Sequence, residues 1–322
     1  MKKVIVGIII TCTLLFPLLF INNNKELLIT TFKKSYSIVS KIDEKDKLEI
    51  LIYINNKKAS LLDKEKIVKS YISSEDAVIN LKIDKVTDLN YTQMIKENKF
   101  NLYSFVFDIE FNSNNEYSVF INNAILNIEL IESSYNLNIG TLSYNKVLFY
   151  GDIDNSLSVS QIIPVINKLD VNDSILGIGL KIRNFSKNNI IIKDIEFLDY
   201  NIKPSLYEIK EVDISEINNK NISEILGYSY NYNYQDNITN DEIIIYVEEG
   251  NEYEFLLPIK YIKTYPIDSF GMEITFSYEG TGNKEYKYYF DDYVFFKSNY
   301  ITYKNDDIII NKYEISWFSK RK

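Results

Sequence analysis

The chain has 322 residues, of which 46% are hydrophobic, and a formal net charge of −9. It contains no histidine, which excludes Ser-His and Cys-His nucleophile pairs and histidine-ligated zinc sites. The acidic balance argues against a phosphate-binding surface, so we expect no nucleic acid partner, and the length favours two domains over one.

An uncharged run opens the sequence. Lys2 and Lys3 precede the 18 uncharged residues 4–21. As a helix this run would be about 27 Å long, close to the ~30 Å hydrocarbon core of a bilayer. We therefore predict that residues 1–24 form an uncleaved transmembrane anchor. The basic residues place the N-terminus in the cytoplasm and the bulk of the chain on the extracytoplasmic side of the cell membrane.

Two alternatives for this segment stay open. A cleaved signal peptide needs small residues before its cleavage site, and residues 17–27 contain no such pattern. A lipoprotein would need a cysteine at the end of the apolar run, whereas the single cysteine, Cys12, lies inside it. All three interpretations carry the rest of the chain across the membrane.

Beyond a juxtamembrane linker at residues 25–46, alternating apolar and polar residues predict β-strands. The alternation is clearest in YSFVFDIEF (103–111), ILGIGLKIR (175–183) and GMEITFSYE (271–279), where every second side chain would face a core. Turn sequences such as NSNNE and EGTGNK separate many short strands. This spacing predicts tandem antiparallel β-sandwiches that resemble immunoglobulin-like domains in plan, although the Cys…Trp…Cys hallmark is absent.

One or two short helical insertions are also predicted. Residues 60–72 carry a loose apolar stripe at helical spacing. Residues 213–227 begin with a capping-box pattern, Asp213 with Glu216, and end at Gly227 in the position of a C-terminal cap.

A repeated plan suggests where the β domains begin and end. The stretches that start at Phe107 and at Ile178 each read as an alternating strand, a polar Asn/Ser turn and a second strand. We interpret them as one hairpin used twice. This predicts two related β-sandwich domains at residues 41–165 and 166–318, followed by a basic tail at residues 319–322.

Four tyrosines alternate with small polar residues in GYSYNYNYQDNITND, residues 227–241. On an extended strand, Tyr228, Tyr230, Tyr232 and Tyr234 would point to one side. Four exposed rings would form a patch of roughly 600–1,000 Å², more than a monomer normally leaves bare. These tyrosines therefore either pack inward or form a binding face, and they are the candidate binding residues.

Motifs that carry chemistry are weak in this sequence. Ser143 and Lys146 match S-x-x-K, but the match leads into a strand and lacks the S-D-N and K-T-G elements of serine acyl enzymes. Asp152 and Asp154 begin like a calcium loop that lacks its glycine and its final carboxylate. An irregular calcium site there stays open, as does a carboxylate pair of the glycosidase type. We expect no catalytic residue, no metal and no cofactor.

Two functional hypotheses follow. The first is a membrane-anchored extracytoplasmic protein that binds or scaffolds a protein or cell-surface polymer without catalysis, as an accessory subunit of an envelope or transport complex. The second is an extracytoplasmic carbohydrate-binding protein or carboxylate-dependent hydrolase. A deep pocket with converging carboxylates would favour the second.

Overall fold

The computed structural model describes residues 27–42, 44–95, 97–110, 115–147, 156–167, 174–219, 222–227, 243–263, 265, 267–282, 284–294 and 315–317. These residues form a mainly β structure with two large apolar cores. The first core uses residues between Ile29 and Tyr144, and the second uses residues between Leu157 and Tyr278. We call residues 27–147 the first half and residues 156–294 the second half.

Within the described residues, nine strands form the sheet of the first half. Their bounds are β1 Ile29–Phe32, β2 Lys34–Lys41, β3 Lys47–Ile54, β4 Ile67–Ser73, β5 Val78–Ile95, β6 Asn98–Ile109, β7 Tyr117–Leu130, β8 Ser134–Val147 and, from the C-terminal region, β18 Ile315–Trp317. The order in the sheet is β18-β1-β3-β6-β5-β4-β7-β8-β2.

The first extended segment bends this sheet round its core. β1 pairs with β3 antiparallel, whereas β2 pairs with β8 in parallel. Only Lys33 separates β1 from β2, yet the two strands lie at or near opposite ends of the strand order. The sheet therefore curls until its two ends meet, and it encloses fully buried side chains such as Ile50, Phe105 and Leu126.

β1 and β2 lie within residues 25–46, the stretch that was predicted to be a juxtamembrane linker. β2 lacks a simple apolar alternation because both of its faces are covered. Tyr36 and Ile38 pack into the first core, while Ser35 and Ser37 donate hydrogen bonds to the second half. In a sequence, small hydroxyl side chains usually indicate an exposed loop, but Ser35 and Ser37 are buried here.

The second half contains two sheets that face each other across the second core. Its strands are β9 Leu157–Asn167, β10 Ser174–Asn184, β11 Ile190–Phe197, β12 Ile202–Pro204, β13 Lys210–Glu211, β14 Ile245–Val247, β15 Glu252–Tyr261, β16 Ser269–Tyr278 and β17 Tyr286–Val294. One sheet has the order β12-β15-β10-β9, with β13 added on β15, and the other has the order β14-β11-β16-β17. Leu180 and Phe255 from the first of these sheets meet Ile192 and Met272 from the second.

The strand–turn–strand units at Phe107 and Ile178 are not hairpins. β6 pairs with β3 and β5, whereas β7 pairs with β4 and β8. β10 pairs with β9 and β15, whereas β11 pairs with β14 and β16 in the opposite sheet. A polar turn shows where the chain reverses, but it does not show which strand becomes the partner. The duplication and the domain bounds at 41–165 and 166–318 stay predictions.

The alternating apolar faces are confirmed, with one local exception. Met272, Ile274, Phe276 and Tyr278 all enter the second core, as the alternation predicts. In β10 the register shifts between Ile175 and Gly177. This irregularity turns Leu176 away from the second core and into a separate cluster on the outer face of the sheet, together with residues of the 213–227 insertion.

Of the two predicted helical insertions, the second is helical in part. The helix predicted at residues 60–72 is wrong, because two short 3₁₀ turns, Ser60–Leu62 and Lys64–Lys66, lead into β4. Further along, Ile214–Asn219 is a 3₁₀ helix and Ile222–Leu226 is a single-turn α-helix. Gly227 follows with a φ of 93°, the left-handed geometry of a C-terminal cap.

Among the described residues, no helix combines the length and the hydrophobicity that a membrane crossing requires. The predicted anchor at residues 1–24, with its apolar run 4–21, lies outside the described residues, and so does the basic tail 319–322.

Candidate binding groove between the two halves

The backbones of the two halves approach closely where β2 crosses β16. Gly271 on β16 faces Val39 on β2. A Cβ atom at residue 271 would lie 2.6 Å from Val39 Cγ2 and 2.8 Å from the carbonyl oxygen of Phe290. Only a residue without a side chain fits there, so the glycine sets how closely the two halves pack.

Hydrogen bonds then join the segment after β11 to the first half. The Leu198 carbonyl accepts from Ser37 Oγ at 3.1 Å and from Asn145 Nδ2 at 3.1 Å. In the opposite direction, the Tyr200 N–H donates to Ser143 Oγ at 3.0 Å. Each of these bonds satisfies a polar group that the contact removes from water. They hold the segment 198–200 against β2 and β8.

A groove of about 400 Å³ opens beside this segment. Residues of both halves line it, including Phe120 of β7 and Tyr200 of the second half. The two rings stack with centroids 3.6 Å apart and planes inclined by 14°. Tyr200 remains 44% exposed, so the stack presents an accessible aromatic surface at the boundary of the two halves.

A row of polar side chains crosses the sheet on the second-half side of the groove. Glu196 of β11 is opposite Glu273 of β16, which is opposite Tyr289 of β17. Two like charges directly opposite each other destabilise a sheet. Lysines offset this cost, since Lys203 lies 3.8 Å from Glu196 and Lys287 lies 2.7 Å from Glu273.

The electrostatics of the row depend on these neighbours. The hydrogen bond to Glu273 raises the pKa of Lys287. Burial and, second, the hydrogen bond with Glu273 raise the pKa of the Tyr289 hydroxyl. Glu116 of the first half adds to both effects through its charge, so carboxylates of both halves act on the same part of the groove.

Asp199 lies beneath the groove and is only 2% exposed. Its carboxylate accepts from Ser35 Oγ at 3.0 Å and from the Asn201 N–H at 2.7 Å. Burial raises the pKa of Asp199 to about 7, although the hydrogen bonds from Asn201 and Ser35 oppose that shift. The Asp199 carboxyl group is therefore hydrogen-bonded to both halves at once.

The S-x-x-K match lies on β8 at the edge of the groove and does not form an acyl-transfer pair. Ser143 Oγ accepts the Tyr200 N–H. Lys146 is 2% exposed; its ammonium lies 2.8 Å from Asp46 and donates to the carbonyl of Lys41 at 2.9 Å. A lysine held in this way is committed to buried partners inside the first half and is not free to act as a base for Ser143.

The tyrosine stripe and the calcium-like loop, which are the other candidate sites predicted from the sequence, lie outside the residues that the structure describes. They are Tyr228, Tyr230, Tyr232 and Tyr234 for the stripe and the positions near Asp152 for the loop. Within the described part of the chain, no group of three or more Cys, Asp or Glu side chains is placed to hold a metal ion.

Apart from Ser143 and Lys146, the residues that line the groove were not selected from the sequence. Phe120, Tyr200, Glu196 and Glu273 each occupy ordinary strand or turn positions and belong to no motif. One weak signal existed in Asp199-Tyr200, an acidic and aromatic pair directly after an apolar strand. The contact between the halves brings these residues together, and local pattern carries no information about that contact.

Comparison with known proteins gives little further information. No protein-family model matches the chain, and no curated protein matches its sequence. One solved structure with a weak match is from Corynebacterium diphtheriae, and the name of that protein proposes that it is membrane anchored. The match has 12% identity and a TM-score of 0.19, and it covers 83% of this chain but only 57% of that protein. A TM-score this low does not establish a shared fold.

Proposed function

We propose that the protein is a membrane-anchored, extracytoplasmic binding or scaffolding protein without enzymatic activity. The groove between its halves would hold a protein or cell-surface polymer, as in an accessory subunit of an envelope complex. The observation that carries this proposal is the Phe120–Tyr200 stack, which is accessible at a groove with walls from both halves. Aromatic surfaces that are partly exposed and rigidly supported are typical anchors of binding sites.

The state of the polar groups supports binding over catalysis. Glu196 and Glu273 pair with lysines, and Ser143 holds the Tyr200 backbone. Side chains that are engaged in this way keep a surface in one shape. A nucleophile, in contrast, needs an adjacent base within hydrogen-bond reach.

The membrane anchor is part of the proposal and is supported by the sequence. The uncharged residues 4–21 follow two lysines and are long enough to span a bilayer. The single cysteine, Cys12, permits a direct test of orientation. In a Cys12→Ser background, Ile131→Cys adds a thiol at a side chain that is 85% exposed. A membrane-impermeant maleimide should label it in intact cells, and labelling only after permeabilisation would contradict this orientation.

Binding through the groove is tested by removing the stack. The full chain in detergent is mixed with envelope fractions of the organism that encodes it, prepared from cells that lack the gene, and the retained protein is measured. Phe120→Ala with Tyr200→Ala should lower retention roughly tenfold or more, as expected for interface anchors. Tyr246→Ala, at a tyrosine that is 58% exposed outside the groove, is the matched control. Equal retention of all three proteins would reject the groove as the binding site.

A carbohydrate ligand, or carboxylate-dependent hydrolysis of one, is the second candidate function. The carboxylates Glu196 and Glu273 beside an aromatic stack favour it, since sugars pack on rings and donate hydroxyls to carboxylates. Incubation with cell-wall polysaccharide distinguishes its two forms. New reducing ends that disappear in Glu273→Gln would indicate a hydrolase, whereas retention of polysaccharide without new ends would indicate binding alone.

A further inference from the structure

Asp199 joins the two halves through hydrogen bonds on both sides. From the first half, Ser35 Oγ on β2 donates to both carboxylate oxygens, at 3.0 and 3.1 Å, and Ser35 Oγ also lies 2.7 Å from Thr141 Oγ1 on β8. From the second half, the N–H groups of Asn201 and Ile202 donate. The carboxylate is therefore a shared acceptor at the centre of the junction.

The titratable groups near Asp199 have other partners, and of these Lys203 also lowers the pKa of Asp199 through its charge. Lys203 on β12 pairs with Glu196 at 3.8 Å. Lys34, next to Ser35 on β2, forms an ion pair with Asp268. Tyr261 on β15 donates its hydroxyl to the carbonyl of Ile175 at 2.9 Å.

Lys146 on β8 also has another partner, because its ammonium pairs with Asp46. No ion pair of Asp199 itself occurs within the described part of the chain. A buried carboxylate without a cation is stable only to the extent that hydrogen bonds replace its hydration. Its ionised form is therefore better stabilised when water reaches it, that is, when the junction is open.

We propose that the junction is a proton-sensitive latch in which neutral Asp199 keeps the two halves closed and ionised Asp199 loosens them. The groove responds with it, because Asp199 and Tyr200 are consecutive and Tyr200 is one side of the aromatic stack. The latch is a property of the junction and does not depend on whether the groove binds a ligand.

The sign and size of the effect follow from proton linkage. The pKa of Asp199 is about 7 when the junction is closed, and the ordinary value of 3.8 applies when the group is solvated. The closed form binds the proton more tightly, so closure is strongest below that ordinary value. Above the solvated pKa of 3.8, the equilibrium constant for opening of the junction should rise about tenfold per pH unit, and it should level off at about pH 7.

Hydrogen exchange at the Tyr200 amide measures the latch directly, because this N–H donates across the junction to Ser143 Oγ. The full chain in detergent is followed from pH 5 to pH 8, and each rate is divided by the intrinsic rate at that pH. The protection factor of Tyr200 should fall about 50-fold between pH 5 and pH 7. The Asn184 amide, which donates within the second half to the Asn251 carbonyl at 3.0 Å, should keep a constant protection factor.

Two variants assign the effect to Asp199. Asp199→Asn mimics the neutral acid and should make the Tyr200 protection factor independent of pH. Asp268→Asn removes the neighbouring carboxylate and should keep the wild-type slope. A flat wild-type profile, or an unchanged slope in Asp199→Asn, would overturn the proposal. If Asp199→Asn does not fold, the test rests on the wild-type protein and Asp268→Asn. Both should then show the same pH dependence of the Tyr200 protection factor, and its loss in Asp268→Asn would overturn the proposal.

Discussion

The cores of the two halves and the junction between them have opposite chemistry. Phe105 in the first core and Phe255 in the second are fully buried among other apolar side chains. At the junction, Ser35, Asn145 and Asp199 are almost as deeply buried, but their neighbours are hydroxyls, amides and carbonyls. Both regions exclude water, the cores mainly with apolar side chains and the junction largely with polar groups.

This difference assigns different roles to the two kinds of region. Apolar burial contributes roughly 25 cal/mol per Å² and is insensitive to pH. A polar contact contributes only about 1 kcal/mol per hydrogen bond, but it is directional, and a missing partner is costly. The cores should therefore determine whether each half folds, while the junction determines how the halves are placed and under which conditions.

The largest effect should come from a core truncation. Phe105→Ala removes a ring that is 0% exposed and should lower the free energy of unfolding by about 3–5 kcal/mol. Phe185→Ala is the matched control, because that ring is 54% exposed and its centroid lies 4.7 Å from the Arg183 guanidinium; it should change stability by less than about 1 kcal/mol. Urea unfolding of the full chain in detergent measures both. Similar values for the two variants would contradict the placement of the core.

A buried ion pair inside the first half provides a third case beside the apolar cores and the polar junction, since it is polar but does not belong to the junction contacts. Asp46 is 6% exposed and binds both Lys146 and the Tyr144 hydroxyl. Asp46→Ala should lower the free energy of unfolding by about 3 kcal/mol, because it leaves the Lys146 charge buried without its partner. Adding Lys146→Met should recover part of the loss in the same urea assay. A double variant less stable than Asp46→Ala would contradict this explanation.

A smaller effect is expected where the halves touch. Gly271→Ala places a methyl group 2.6 Å from Val39 Cγ2 and should destabilise the junction by about 1–3 kcal/mol. Combining it with Val39→Ala removes the contact with Val39 Cγ2 but keeps the Cβ of residue 39, which lies 3.0 Å away, and should restore part of the stability. The contact with the Phe290 carbonyl remains, so recovery should be incomplete. An unchanged stability of Gly271→Ala would mean that the halves are further apart at this point than 2.6 Å implies.

The sequence predicted the parts of the fold that depend on local pattern. The alternation around Met272 and around Phe105 identified core-facing residues, because side chains of a strand alternate between two faces. It failed at Leu176, where a register irregularity turns one residue outward, and at residues 60–72, where a loose helical stripe gives 3₁₀ turns and a strand. Strand partners could not be read at all, since pairing is a long-range property.

The candidate site was less accessible to prediction for a related reason. A serine such as Ser35 has the same appearance in a loop and in a buried junction. Burial raises the pKa of Asp199 to about 7, and the first half contacts this carboxylate through Ser35. Functional residues that come from a contact between distant segments have no spacing in the sequence that could identify them. The tyrosine stripe at Tyr228–Tyr234 did have such spacing, and its role stays a prediction.

The groove and the junction both require that the two halves meet at the aromatic stack. A double-mutant cycle on Phe120→Ala and Tyr200→Ala, measured by urea unfolding at pH 5, tests this directly, because the rings belong to different halves and lie 3.6 Å apart. We expect a coupling free energy of about 0.5–1.5 kcal/mol, the usual range for a stacked aromatic pair. A coupling free energy of zero within error would show that the rings do not meet, and it would contradict both the groove and the junction that forms it.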